Sequence, residues 1–285
     1  MFAIIGVIIV FASVVGGYVL EHGNLSLLFQ PVELLIIGGA ALGAFFISST
    51  PRVFGLVLKS LATVLSPKAS SKSKYLELLT LLYQLFSKIR KEGLVSIESD
   101  IETPDKSPIF QRFPTVLSNH HVLDFICDNL KVIVTANVPP HELENLMDIE
   151  IDTHHHQSLI PSHSIAKIAD GLPALGIVAA VLGVVLTMAK INEPPAVLGA
   201  SIGAALVGTF LGVLLSYGIV GPVAANLENQ AEEGTVPYQV VKVALVAFVG
   251  GSAPQMAVEF ARRAVPDREK PTFNELESTV RSKPK

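Results

Sequence analysis

Residues 170–190, DGLPALGIVAAVLGVVLTMAK, decide the fold. The run opens on an acid, holds a proline three residues in, and carries no further charge until Lys190. A bilayer core needs about 20 mostly apolar residues per helix, so the run reads as a membrane span over 171–189. Gly176, Ala180 and Gly183 recur at three- and four-residue spacing. That spacing stacks small side chains on one helix face, where a second backbone can come close.

Three further stretches share this character, at roughly 2–20, 32–50 and 197–224. Pro31 suits the first turn of the second, and Pro51 with Arg52 ends it. The fourth repeats the small-residue pattern at Gly199, Gly203, Gly208 and Gly212, with Ser201, Thr209 and Ser216 along its length. A fifth stretch, 236–260, has an apolar run of only about ten residues before Gly250, Gly251 and Pro254 interrupt it, which fits a buried or interfacial helix better than a span. The first span lacks the basic start and cleavage site of a signal peptide and is expected to be retained. Pro222 lies inside a helical pattern and predicts a kink, whereas Pro173 suits a first turn.

Composition agrees. The chain of 285 residues is 50% hydrophobic and only 16% charged, against about a quarter charged in soluble domains. Its mean hydropathy is +0.52. A net charge of −4 gives no basic patch for nucleic acid. The lone Cys127 excludes an intrachain disulfide and reads as a small apolar filler.

Basic residues are unevenly placed. The stretch 21–31 has none and 190–196 has only Lys190, so 20 of the 21 Lys and Arg fall in 51–170 and the tail from 225. The positive-inside rule then makes both termini, the middle segment and the tail cytoplasmic. The expected organisation is an all-α membrane protein: spans one and two in 1–50, a helical cytoplasmic segment in 51–169, spans three and four in 170–226, and a cytoplasmic tail in 227–285.

Within the middle segment, 67–74 reads as a polar linker. The next stretch carries Leu76, Leu79, Tyr83, Phe86 and Ile89 on one stripe, then a basic last turn and Gly93. Arg90 faces an acidic stretch holding Glu98, Asp100 and Glu102. A second helical region covers 123–137. A third, acidic helix follows, with Pro161 as an expected break. These helices look too few for a large independent core, and no phosphate loop or nucleophile–base pair marks an enzyme. His154, His155 and His156 are adjacent and point about 100° apart on a helix, so they read as a hydrated face and not a metal site.

The span interiors lack ionisable side chains, with Glu33 and Asp170 expected at the boundaries. Intramembrane acids usually mark ion pathways. Ion conduction by this chain would therefore need a titrating group from another polypeptide.

The stretches 16–45, 170–185, 198–224 and 257–277 together make the chain resemble the MotA family, the larger subunit of the flagellar motor stator. The resemblance covers nearly the whole chain. It implies five such chains around a pair of MotB-like chains, each bringing one span with an essential aspartate that carries protons, in the bacterial inner membrane and without a cofactor. It implies a charge-mediated contact with the rotor protein FliG through Arg90, Glu98 and Glu150. It places torque-linked prolines at Pro173 and Pro222, and lines the ion path with Ala180, Thr209 and Asp170. Sodium-driven relatives carry threonine where this chain has Ala180, so protons are the expected ion. An ExbB/TolQ-type channel subunit, usually of three spans, is the alternative. A self-sufficient solute transporter would be expected to show internal repeats.

Overall fold

The computed structural model describes residues 2–65, 71–136 and 138–281. Among these, every regular element is helical. Four helices are long and apolar enough to cross a membrane, in Phe2–Leu20, Leu25–Ser48, Pro140–Met188 and Pro195–Val249. The chain divides into two units, Met1–Lys68 with Ser158–Ala231, and Ala69–Gln157 with Glu232–Lys285.

The first unit begins with α1 (Phe2–Leu20), a one-turn α2 (Leu25–Leu28) capped by the Asn24 side chain, and α3 (Pro31–Ser48), which opens on its proline. Helix α4 (Pro51–Leu65) buries Val57 and Val64 and leaves Arg52 and Lys59 exposed. Its Phe54 stacks on Phe46 at 5.0 Å, which ties it back to α3. Large apolar side chains such as Ile8, Leu35, Ile47, Val185 and Leu186 stay exposed along the candidate spans, as lipid-facing helices require.

The second unit contains α5 (Lys72–Glu92), α6 (Glu98–Glu102), α7 (Pro114–Leu117) and α8 (His120–Ala136). Helix α9 (Pro140–Met188) supplies its start to this unit and its remainder to the first. So does α11 in reverse. The fourth apolar stretch is α10 (Pro195–Leu215), one π-helical turn at Ser216–Val220, then α11 (Gly221–Val249). Helices α12 (Pro254–Arg263) and α13 (Phe273–Arg281) complete the second unit.

Helix α5 ends as its sequence predicts: Gly93 takes φ 87° and donates its N–H to the Ile89 carbonyl. Its apolar surface is broader than a single stripe, with Tyr75, Leu78, Leu81, Leu82 and Leu85 buried as well as Leu79, Phe86 and Ile89. Phe86 stacks on Phe248 at 4.3 Å and nearly parallel. The fifth apolar stretch accordingly supplies Val240, Val241, Ala244 and Leu245 to this unit's core. The helices of the second unit therefore do build a substantial core, contrary to the sequence expectation, because distant segments contribute to it. Cys127 lies buried there, and burial pushes its thiol up to about 12.

Pro161 does not break the helix; α9 runs through both Pro161 and Pro173. Residues 66–70, which include the start of the expected linker, lie outside the described residues, as does Asn137 at the end of the expected second helical region.

Candidate functional site

The backbones of α9 and α10 touch where the glycines predict. A methyl added at Gly176 would lie 2.8 Å from the Gly208 carbonyl oxygen, and one at Gly212 would lie 2.6 Å from that of Leu172. Contacts this short exclude any side chain larger than hydrogen without a backbone shift. Gly183 faces Ala205 in the same way, at 2.7 Å. Gly199 and Gly203 belong to the same sequence pattern but meet nothing within 4 Å.

Pro173 sits in the interior of α9 and lacks the N–H that would bond the carbonyl four residues earlier, that of Ala169. Ser216 fills the gap: its hydroxyl donates to the Ala169 oxygen at 2.7 Å. Ser216 is also where the helix widens, since Gly221 donates its N–H to the Ser216 carbonyl in the π turn. Pro222 follows in the first turn of α11, exposed, so the irregularity near it is a π turn and not a proline-broken interior. A second cross-link of the same kind runs from the Ser162 hydroxyl to the Ala224 carbonyl at 3.0 Å.

Of the candidate path residues, Ala180 is buried, Thr209 is half-buried beside Gly208, and Asp170 is exposed. Thr187 turns its hydroxyl back onto the Gly183 carbonyl at 2.8 Å. Glu33 is more enclosed than a boundary acid was expected to be. It is only 9% exposed, and its carboxylate reaches between α9 and α10. A methyl at Gly208 would lie 2.9 Å from Glu33 Oε2 and 3.0 Å from the Ala180 amide nitrogen. Oε2 has no hydrogen-bond partner. Glu33 thus sits in the first turn of α3, at the boundary expected from the sequence, but its side chain turns inward.

In the second unit, Arg90 and Glu98 are exposed and make no ion pair among the described residues. The acidic stretch is engaged by Lys88, whose Nζ meets Asp100 at 2.7 Å, while the Ser107 hydroxyl donates to the other Asp100 oxygen. Glu150 accepts from Asn129 Nδ2 at 3.3 Å. Burial pushes its carboxyl up, and the Asn129 hydrogen bond pulls it partly back.

The histidine run is not a uniformly hydrated face. His154 is half-buried, with Nε2 3.1 Å from the Tyr238 hydroxyl, and His155 Nδ1 lies 3.1 Å from Thr235 Oγ1. Only His156 is exposed. Among the described residues no cluster of His, Cys, Asp and Glu could hold a metal. The cross-linking roles of Ser216, Ser162 and Asn129 escaped sequence reasoning because their partners lie 47, 62 and 21 residues away. Glu33 had a visible signal, an acid inside an apolar run.

The family model described as Motility protein A N-terminal matches residues 4–93, and that of the MotA/TolQ/ExbB proton channel family matches 118–239. The chain is 44% identical to Motility protein A of Salmonella typhimurium over 282 residues, 99% of this chain and 96% of that one. Its fold resembles that in a structure of C. jejuni MotAB, with a TM-score of 0.77, 18% identity, and coverage of 95% of this chain and 98% of that one. It also resembles the flagellar MotAB stator complex from Bacillus subtilis, with a TM-score of 0.71, 22% identity, and coverage of 90% and 92%.

Proposed function

The chain belongs to the Motility protein A family, and on that premise we propose that it is the membrane-embedded stator subunit of a bacterial flagellar motor, coupling proton flow to rotation. The observation that carries this reading is the near-complete match to Motility protein A, spanning 99% of this chain. Four apolar helices make it a multi-pass membrane protein, which distinguishes it from the three-span pattern of ExbB/TolQ-type subunits. The Gly-lined contact between α9 and α10 supplies the closely packed wall that a conducting complex needs.

The chain works with a MotB-like partner, whose single span brings the proton-carrying aspartate; the fold likeness to two MotAB structures supports this. Five copies surround two partner chains in the inner membrane. Both termini, residues 51–169 and the tail from 227 face the cytoplasm, which the one-sided distribution of basic residues supports. Arg90 and Glu98, exposed and unpaired, meet FliG through opposite charges, with Glu150 as a further contact. Pro173 and Pro222 transmit the shape change that accompanies each proton, and Ala180, Thr209 and Asp170 line its route. Ala180 offers no hydroxyl to replace a cation's hydration, which supports protons over sodium.

Deleting the gene should leave cells with complete flagella that do not turn, and restoring the gene with its partner should restore swimming. Swimming should stop when the proton gradient is collapsed and persist without sodium. Normal rotation in the deletion strain would overturn the assignment.

A further inference from the structure

We infer that Glu33 is a proton-binding group of the ion path, so that this chain contributes an acid of its own to conduction. The inference rests on the proton-channel reading above. Glu33 lies within the candidate span Leu25–Ser48, yet its side chain turns inward from the first turn of α3, leaving the residue 9% exposed.

Its two carboxylate oxygens lie beside Gly183 of α9 and Gly208 of α10. A methyl at Gly183 would lie 3.6 Å from Oε1, and one at Gly208 would lie 2.9 Å from Oε2. The two glycines thus leave room for a carboxyl group on both sides. No ion pair or hydrogen bond holds it among the described residues, and Oε2 is buried without a partner. An unpaired ionised carboxylate is costly in such a place. A proton is the ligand that removes the charge.

The position fits a path and not a packing accident. Gly208 immediately precedes Thr209, and the Ala180 amide brackets the same point as Oε2. Those two residues are the candidate path positions reached independently. A proton arriving from water forms the Glu33 O–H bond; that bond breaks when the proton passes to water or to the partner's carboxylate, and the Glu33 carboxylate is regenerated. No electron or other co-reactant is involved.

The test uses the full complex with its partner, reconstituted in vesicles carrying a pH gradient. Glu33→Gln should lower proton flux by about a hundredfold, the scale on which a positioned acid–base group acts, while accumulating and assembling with the partner normally. Glu33→Asp should conduct with a displaced pH profile. Infrared difference spectra of the wild-type complex should show a carboxylic C=O band that titrates and is lost in Glu33→Gln. Wild-type flux with an unchanged pH profile in Glu33→Gln would overturn the inference. Should that variant fail to accumulate, an unchanged profile in Glu33→Asp would overturn it equally. A wild-type complex that passes no protons would instead overturn the channel reading from which the inference starts.

Discussion

Ser216 hands its hydroxyl hydrogen to the Ala169 carbonyl at 2.7 Å, and Ala169 is the residue that Pro173 deprives of its helical donor. Both partners are almost fully enclosed, at 1% and 4% exposure. A proline defect in α9 is thereby repaired from the π turn that follows α10, and the two irregular points become one coupled feature. π turns concentrate at functional sites, and this one reaches directly to the carbonyl that Pro173 leaves without its helical donor.

Removing the hydroxyl therefore leaves a buried carbonyl unsatisfied. Ser216→Ala should cost about 1–2 kcal/mol, read as a lower unfolding temperature of the detergent-purified complex and reduced swimming. Pro173→Ala restores an N–H that can bond the Ala169 carbonyl itself. In that background Ser216→Ala should be close to neutral for stability. Simple additivity of the two changes would show that the bond does not compensate for the proline.

The helix contact makes a sharper steric prediction. Gly212→Ala places a methyl 2.6 Å from the Leu172 oxygen, which is backbone and cannot swing away. It should destabilise by about 1–3 kcal/mol, the usual cost of overpacking, and abolish swimming. Gly199→Ala, with nothing within 4 Å, should be tolerated in both assays.

These two glycines also show how far the sequence could be read. Four-residue spacing identified a small-residue face and the contact it forms, because helical periodicity alone aligns those positions. It could not say which glycines meet a partner, since Gly199 and Gly212 satisfy the same pattern. The spans and the Gly93 helix end were legible from local signals of length, charge and backbone freedom. The second unit's core was not, because Phe86 finds Phe248 across 162 residues of chain. Pro161 misled because a long helix held on both sides tolerates a missing N–H. Glu33 was visible as an acid, but its inward direction depends on how α3 rotates against its neighbours.

Acidification should loosen the second unit in two separate windows. His154 is held below its ordinary value of 6.5 by burial, then by His121 and His155. A depressed histidine is neutral when folded while the unfolded chain takes up a proton, so its contribution is complete above about 6.5 and falls as the pH drops below that. His154→Gln should flatten this limb in hydrogen-exchange measurements on α9 and α11. Glu275 titrates lower, pulled down to about 2 by Lys72 and then by Thr272. Its contribution is complete above the ordinary 4.5 and is lost as the pH falls toward about 2. Lys72→Met should move acid release of α13 to higher pH, visible as earlier proteolytic cleavage of the tail.

Neighbouring cations on α5 should behave oppositely when reversed. Lys88 pairs with Asp100, a residue 4% exposed whose carboxylate also takes the Ser107 hydroxyl. Lys88→Glu strips the partner from a nearly buried charge and adds repulsion. The loss should be about 2 kcal/mol, less than the ~3–5 kcal/mol for breaking an enclosed pair, since the Lys88 side chain keeps 28% of its exposure. Arg90 stands two residues on, exposed and unpaired. Arg90→Glu should leave the unfolding temperature within experimental scatter and still impair swimming, because on the proposed rotor contact it changes the charge offered to FliG and nothing inside the fold. An acid-to-base change on FliG should then partly restore swimming to Arg90→Glu and do nothing for Lys88→Glu. If both variants lose stability alike, Arg90 serves the fold and the charge-contact role fails. If Arg90→Glu swims normally, the proposed rotor contact does not run through Arg90.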